Sequence, residues 1–219
     1  MSLVLHAHPL SSYCQKVLLG LGENGVAFDY RKIDFGEPVH AAELERLWPM
    51  KRIPILVEDG RTIVESSIIL EHVDRKYPGR TKLIPDDAAA ALEARFMDRV
   101  FDCYVMTPMQ AVVFEALRPP EARDPFGVAK ARKELDTIYA WLDAKLDGRE
   151  WAAGPAFSLA DCAAAPSLFY ADWTQPIPAE YTRLKAYRAR LLARPAFKAI
   201  VDDARPYRNL FPLGAPDRD

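Results

Sequence analysis

The feature that most constrains the fold is the point in the chain at which strand-like segments stop. Short apolar or alternating runs occur at 3–5, 27–33, 55–57 and 62–64, and no such run follows. Helical patterns separate the first three runs, and this order favours a parallel crossover. Asp59-Gly60 lies between the last two runs and predicts a two-residue hairpin. The N-terminal part therefore predicts a four-stranded mixed sheet flanked by helices.

The chain from residue 88 onward contains only helical patterns. Apolar residues recur at helical spacing, as at Leu135, Ile138 and Leu142. Pro108 is expected to kink or end the first long helix, because proline lacks the N–H that a helix needs. The sequence thus predicts an α/β domain at 1–79, a linker at 80–87 and an all-helical domain with a C-terminal tail at 88–219.

Charge and cysteine content exclude several classes of protein. Lys plus Arg total 29 against 31 for Asp plus Glu, so the charge of −2 does not favour nucleic acid or an anionic membrane as partner. No apolar run approaches the ~20 residues of a membrane span, and no signal-peptide pattern is present. Cys14, Cys103 and Cys162 are odd in number and dispersed, which argues against a disulfide framework and a metal site. We expect a soluble cytoplasmic protein.

Two serines stand at the start of the first predicted helix, after an apolar strand. The helix carries Val17 and Leu21 on its apolar stripe and is expected to end at Asn24-Gly25. Free N–H groups and the helix dipole at such a start stabilise an anion or a thiolate. Ser11 and Ser12 could each donate to a bound ligand or merely cap the helix. The residues alone do not decide between ligand binding and helix capping.

Four short motifs follow one another in a characteristic order. They are Ser11-Ser12-Tyr13-Cys14, Ile53-Pro54, Glu65-Ser66 and the segment 157–161, in which Ser158 and Asp161 predict a capping box. Together they resemble the cytosolic glutathione transferases over essentially the whole chain. The resemblance implies a thioredoxin-like N-terminal domain, an all-α helical-bundle C-terminal domain, glutathione as co-substrate without a metal, and a homodimer.

The motifs are most similar to the serine-type bacterial classes, with zeta-like features. The loop 48–54 is similar to the zeta sequence Asn-Pro-Met-Lys-Gln-Val-Pro, with Trp48 in place of Asn and Arg52 in place of Gln. We expect a transferase that moves glutathione to a small hydrophobic electrophile in detoxification. A zeta-like isomerase and a non-catalytic ligand-binding or interaction protein remain alternatives. A thiol reductase would need a nucleophilic cysteine where Ser11 stands.

The resemblance also assigns roles to the residues of the first turn. Ser11 occupies the first position of a Ser-x-x-Cys turn, where thioredoxin relatives carry their reactive cysteine, and is the favoured donor to the glutathione sulfur. Ser12 is the alternative donor, with an expected capping role. Tyr13 is expected on the pocket wall, although its phenol could also donate. Cys14 lies on the apolar stripe and is expected in the core.

The remaining assignments follow the three parts of glutathione. Pro54 is expected to be cis, so that the backbone of Ile53 pairs with the cysteinyl part. Glu65 is the expected acceptor for the γ-glutamyl ammonium, and Ser66 a donor to its carboxylate. Candidate cations for the glycyl carboxylate are Lys51, Arg52 and His40. The electrophile is expected between the domains, against Tyr13, Phe101, Tyr104, Met106, Met109, Trp173 and Phe211. The dimer interface is expected near 71–77 and 92–101.

Overall fold

A four-stranded mixed sheet forms the N-terminal part of the computed structural model, which describes residues 2–219. Its strands are β1 (Leu3–Ala7), β2 (Asp29–Lys32), β3 (Ile55–Glu58) and β4 (Arg61–Val64). They lie in the order β2-β1-β3-β4, with β1 and β2 parallel and the other pairs antiparallel. This topology confirms the mixed sheet predicted from the sequence.

The turn between β3 and β4 has the predicted two-residue form. Asp59 and Gly60 have φ values of 46° and 85°, and positive φ at both positions is typical of the hairpin turn that matches strand twist. Strand β1 is longer than predicted, because pairing of His6 with Arg31 and of Ala7 with Lys32 extends it beyond Leu5. That extension places the end of β1 next to the first helix.

Three helices accompany the sheet: α1 (Ser12–Asn24), α2 (Pro38–Leu47) and α3 (Ser66–Lys76). Helix α1 ends as predicted, with Gly25 in the left-handed conformation at φ 62° and its N–H bonded to the carbonyl groups of the last turn.

The C-terminal part contains six further α-helices. They are α4 (Ala88–Val100), α5 (Thr107–Glu115), α6 (Pro125–Lys145), α7 (Leu159–Thr174), α8 (Thr182–Leu192) and α9 (Pro195–Ala204). A π-helical segment, Phe101–Met106, joins α4 to α5, and short 3₁₀ turns follow at Pro120–Ala122 and Arg205–Leu210. No helix within residues 2–219 is long and apolar enough to cross a membrane.

Pro108 was expected to kink or end the helix, and the predicted end is wrong. The chain stays helical through Pro108, which lies in the first turn of α5. In the wider π turn before it, both the N–H and the hydroxyl of Thr107 bond to the carbonyl oxygen of Asp102, the hydroxyl at 3.0 Å. A π turn inserts an extra residue into the helix and changes which side chains share a face afterwards.

Helix α7 is the centre of the core, and nearly all of its residues are buried. It packs against α1 and α4, so a continuous apolar core joins the two parts of the chain. The predicted capping box holds its start, with the Ser158 N–H donating to Asp161 Oδ2 at 2.8 Å. The other carboxylate oxygen of Asp161 accepts from the Ala152 N–H at 2.9 Å and the Tyr187 hydroxyl at 2.5 Å.

Candidate active site

A cleft of about 490 Å³ lies between the start of α1 and the helical part of the chain. Its α/β side is mainly polar, and its helical side is mainly apolar. The α/β side includes His8, Ser11, Ser12, Tyr13, Lys51, Arg52 and Ile53, and the helical side Met109, Gln110, Val113, Phe114, Leu117, Tyr170 and Phe211. A cleft of this size with few polar groups and an apolar wall is typical of small-molecule sites.

Ser11 is the residue that caps α1. Its backbone is extended, with φ −77° and ψ 119°, and its Oγ accepts from the Cys14 N–H at 3.4 Å. Because a hydroxyl carries one donor and two acceptor sites, the Ser11 proton is left for a ligand. The capping role predicted for Ser12 is wrong, since Ser12 is already the first helical residue. Both serines line the cleft.

Cys14 is completely buried beneath the serine turn. Burial raises the pKa of its thiol to about 12, although hydrogen bonding with the Ser11 side chain and the His8 backbone opposes this. A thiol with this pKa is protonated at neutral pH and is a poor nucleophile. The environment of Cys14 therefore agrees with the expected core position and gives no support to a thiol reductase.

Tyr13 lines the cleft wall next to the serines. Burial, followed by the charge of Asp102, raises the pKa of its phenol. The phenol stays protonated at neutral pH, so Tyr13 is an uncharged part of the cleft wall.

The Ile53–Pro54 peptide is cis, as the resemblance implies. Ile53 precedes β3 and lies outside the strand ladder, while Pro54 is buried. Strand register pairs Ile55 with Val64, so the segment Glu65–Ser66 that follows β4 lies beside the cis peptide. Two of the predicted glutathione-binding segments thus meet at one end of the β3–β4 hairpin.

Glu65 and Ser66 form the start of α3. Glu65 is exposed at the N-cap position and has φ 69°, a left-handed value that residues with a side chain rarely adopt. Such an outlier is a reason to look for a function at the residue. Ser66 is buried in the first turn, where the free N–H groups of α3 favour a carboxylate. Neither residue lines the cleft itself.

The three candidate cations occupy different environments. Lys51 lines the cleft but forms an ion pair with Glu45 at 2.8 Å. Arg52 lines the cleft, is exposed, and has no ion pair within residues 2–219. His40 does not line the cleft, because its Nδ1 accepts from the Asp34 N–H at 3.0 Å in the loop before α2. Arg52 is thus the best placed of the three.

Several residues predicted for the electrophile do not reach the cleft. Met106 and Phe101 are completely buried in the core, and Tyr104 is exposed on another face. Met109 and Phe211, which were also predicted, do line the cleft. Val113, one helical turn after Met109, lines it with them.

Trp173 lies one layer behind the cleft and does not line it. Its ring centroid is 5.5 Å from that of Tyr170 and 5.4 Å from that of Phe211, and these two residues form part of the wall. Trp173 therefore supports the wall instead of contacting the contents of the cleft.

A buried charge cluster was missed by the sequence analysis. Lys16 Nζ lies 2.6 Å from Asp98 and 2.8 Å from Asp102, and donates to Ser67 Oγ at 2.9 Å. Ser67 in turn donates to Asp98 at 2.7 Å, and the half-exposed Arg99 contacts Asp102 at 3.1 Å. Burial and the charge of Asp98 raise the pKa of Asp102, against the influence of Lys16. The only sequence signal was a lysine among the apolar residues of α1.

A second missed residue connects the serine turn to the core. Gln15 is completely buried, and its Nε2 donates to the Pro9 carbonyl at 2.8 Å and to the Tyr170 hydroxyl at 2.9 Å. It therefore joins the turn before α1 to helix α7 and fixes the Tyr170 hydroxyl beside the cleft.

Two family models match this chain. The glutathione S-transferase N-terminal domain matches residues 5–81, and the glutathione S-transferase C-terminal domain matches residues 105–195. The chain belongs to the glutathione S-transferase family.

Curated relatives of this glutathione S-transferase carry different names. It is 30% identical over 212 residues to FtsZ-localized protein A of Caulobacter vibrioides, covering 92% of each chain. It is 29% identical over 202 residues to the glutathione S-transferase GstB of Escherichia coli, covering 87% of this chain and 93% of that one. A probable maleylacetoacetate isomerase of Vibrio cholerae is 26% identical over 219 residues, with 94% and 98% covered.

The similarity to a solved structure of the family extends over nearly the whole fold. A glutathione S-transferase from Methylobacillus flagellatus with glutathione bound superimposes with a TM-score of 0.82 at 26% identity, covering 91% of this chain and 98% of that one. The present chain also has a larger groove, of about 940 Å³, on the other side of α1 between β2 and α9. That groove contains none of the predicted site residues, so the smaller cleft is the candidate active site.

Proposed function

We propose that this protein is a glutathione transferase that binds glutathione in the cleft and stabilises its thiolate through the Ser11 hydroxyl. The observation that carries the proposal is the position of Ser11. It caps α1 with its oxygen, keeps a proton to donate, and faces an apolar wall across the cleft. A donor at the start of a helix is well suited to a sulfur anion.

The donors and acceptors beside the cleft match the chemistry of glutathione. The backbone of Ile53 is outside the strand ladder and would pair with the cysteinyl residue. Glu65 and Ser66 would hold the γ-glutamyl ammonium and carboxylate, and the strained backbone of Glu65 is consistent with a binding role. Arg52 would hold the glycyl carboxylate, since Lys51 is already paired with Glu45.

The proposed reaction begins with the loss of the thiol proton to solvent. A free thiol has a pKa near ~8.5 and is mostly protonated at neutral pH. The Ser11 hydrogen bond and the dipole of α1 favour the anion, so more of the bound glutathione is nucleophilic. The thiolate then forms a bond to an electrophilic carbon held against the apolar wall, where Met109, Val113 and Phe211 lie. The electron pair displaced at that carbon leaves with a halide or moves onto the oxygen of a conjugated carbonyl.

Calorimetric titration with glutathione tests the proposal. Wild type should bind glutathione, and Arg52→Ala should weaken binding several-fold because it removes a cation from the cleft. Arg61→Ala is a matched control, since Arg61 is exposed at the opposite end of the β3–β4 hairpin from Ile55 and does not line the cleft. Absence of binding at millimolar glutathione would contradict the proposed function.

An isomerase is a second candidate, favoured by the zeta-like loop that contains Lys51 and the cis Ile53–Pro54 peptide. The relative from Vibrio cholerae is named a probable maleylacetoacetate isomerase. Isomerisation of maleylacetone with catalytic glutathione would support this candidate, and conjugation of alkyl or aryl electrophiles without isomerisation would oppose it.

A non-catalytic interaction protein is a third candidate. The Caulobacter relative is named for localisation with FtsZ, and the mouth of the cleft exposes the apolar side chains of Phe35, Phe114 and Leu117. Glutathione binding without turnover of any electrophile in a broad panel would favour this candidate over the enzyme.

We also propose a cytoplasmic homodimer, with one protomer's α3–α4 face on the same face of its partner. Ile68, Leu92 and Phe96 are large apolar residues exposed on these helices. Arg95 joins α4 to Glu71 of α3 through two hydrogen bonds of 2.8 and 2.9 Å, which holds the two helices side by side. A shared apolar face of this kind is suited to an interface between identical chains.

A further inference from the structure

His8 is a cleft residue to which the proposed function gives no role. It follows β1 directly and lines the cleft together with Ser11. The turn between the two residues is closed by the Ser11 N–H, which donates to the His8 carbonyl at 3.0 Å. The imidazole is thus attached to the same turn as the proposed thiolate donor.

The hydrogen bonds of His8 determine which ring nitrogen carries the proton. The Leu10 N–H donates to Nδ1 at 3.1 Å, so Nδ1 must have its lone pair free and cannot be protonated. The single proton of the neutral ring therefore lies on Nε2, which is left as a donor. Within residues 2–219, the His8 ring forms no other hydrogen bond.

The surroundings keep the imidazole neutral and fixed. Burial, assisted by Lys32 and opposed by Asp34, lowers the pKa of His8. The ring packs edge-on against Tyr207, with centroids 5.1 Å apart and planes at 70°. Contacts on the Leu10 and Tyr207 sides restrict the ring, so the Nε2–H is a preorganised neutral donor.

We propose that His8 Nε2–H donates a hydrogen bond to the oxygen of an α,β-unsaturated carbonyl substrate, and so selects this class of electrophile. The inference rests on the proposed function, because the nucleophile is the glutathione thiolate. In the step, sulfur forms a bond to the β-carbon, and the C=C π electrons move to give an enolate with charge on oxygen. Solvent then protonates the α-carbon, which restores the proton lost by the thiol.

The reaction class follows from how the strength of a hydrogen bond changes along the reaction. A hydrogen bond to the carbonyl oxygen becomes stronger as negative charge develops on that oxygen. The donor therefore stabilises the transition state more than the bound substrate and lowers the barrier. A halide leaving group has no oxygen for this donor to stabilise. His8 should therefore discriminate between the two classes, whereas Ser11 should serve both.

Kinetics with two substrates test the proposal. For wild type, His8→Leu and His8→Gln, kcat/KM is measured with an α,β-unsaturated aldehyde and with an alkyl halide. His8→Leu should lower kcat/KM for the aldehyde by about 10- to 100-fold, which is less than the usual loss when a full oxyanion donor is removed. It should change kcat/KM for the alkyl halide by less than about twofold. His8→Gln, which keeps an N–H at similar reach, should recover most of the aldehyde activity.

Glutathione affinity, measured by calorimetry, separates this proposal from the proposed function. The role of His8 is overturned if His8→Leu binds glutathione normally and kcat/KM falls equally for both substrates, or falls for neither. Lack of recovery in a folded, glutathione-binding His8→Gln would also overturn it. If wild type binds no glutathione and converts neither substrate, the proposed function itself fails, and the role of His8 fails with it.

Discussion

Glu58 on β3 is a buried carboxylate surrounded by three partners. It accepts from Lys76 Nζ at 2.6 Å, from His72 Nε2 at 3.2 Å and from the Tyr77 hydroxyl. Burial alone would raise the pKa of Glu58, but the hydrogen bonds from Lys76 and Tyr77 outweigh it and lower the pKa to about 2. The ionised form is therefore strongly favoured in the folded protein.

This environment predicts a pH dependence of stability. The pKa of Glu58 is lower in the folded chain than the ordinary value of 4.5, so its contribution is present above pH 4.5 and is lost as the pH falls towards 2. Urea unfolding should show a larger free energy of unfolding for wild type than for Glu58→Gln at pH 7. This difference should shrink as the pH falls from 4.5 towards 2. Glu121→Gln, at an exposed position, is the control and should differ from wild type equally at each pH. A difference in free energy of unfolding between wild type and Glu58→Gln that stays constant with pH would contradict the prediction.

Single residues show where sequence reasoning about the site succeeds and where it stops. The motifs predicted site roles for Ser11, Ile53 and Pro54. Ser11 and Ile53 line the cleft, and Pro54 follows Ile53 through the cis peptide. The choice between Lys51 and Arg52 could not be made, because it depends on the ion pair between Lys51 and Glu45. That pair joins Lys51, which has a φ of 52°, to helix α2, and the local sequence determines neither the contact nor the backbone conformation.

At the scale of elements, the strands and helices of the N-terminal part were predicted because period-2 and period-3.6 patterns alternate there, with Gly25 and Gly60 at their ends. The π segment, Phe101–Met106, was not predicted, since its residues look like ordinary helix. Met106 lies in this segment and is completely buried, whereas Met109 and Val113 on α5 line the cleft.

The charge cluster around Lys16 connects α1 with α3, α4 and the π segment. Lys16→Met would leave Asp98 and Asp102 buried without their central cation. Breaking a buried pair in this way costs about 3–5 kcal/mol. Chemical unfolding should therefore show a loss of that size, whereas Lys185→Met, at an exposed position of α8, should stay within about 0.5 kcal/mol of wild type.

A combined variant separates the missing charge from the missing side chain. Lys16→Met with Asp98→Asn and Asp102→Asn removes all three charges, and it should recover much of the stability lost by Lys16→Met alone. If Lys16→Met is as stable as wild type, the cluster does not hold the elements together as described.

At the scale of the whole molecule, the α3–α4 face carries a prediction about assembly. Phe96→Glu places a charge on the proposed interface, next to Leu92, and should shift the mass in light scattering from two chains to one. Phe126→Glu is the matched control, because Phe126 is more exposed but lies on α6. A monomeric wild type, or a dimer that tolerates Phe96→Glu, would contradict this interface.

The two-part architecture was predictable because strand patterns are confined to the first part of the sequence. The cleft was predicted only as a position between the parts. Its shape depends on long-range contacts such as those of Gln15 with Pro9 and Tyr170, and no local pattern reports such contacts. The helical side of the cleft was consequently predicted less well than the α/β side.

The central claim is that Ser11 stabilises the thiolate of glutathione, and a titration of the bound thiol tests it most directly. Thiolate absorbance of the glutathione complex is measured against pH for wild type, Ser11→Ala and Ser12→Ala. A hydrogen bond to a charged group contributes about 1.5–3 kcal/mol, so the bound thiol should titrate about 1–2 pH units below the free value. Ser11→Ala should lose most of this shift and Ser12→Ala should keep it. An unshifted thiol in wild type, or an unchanged shift in Ser11→Ala, would contradict the account.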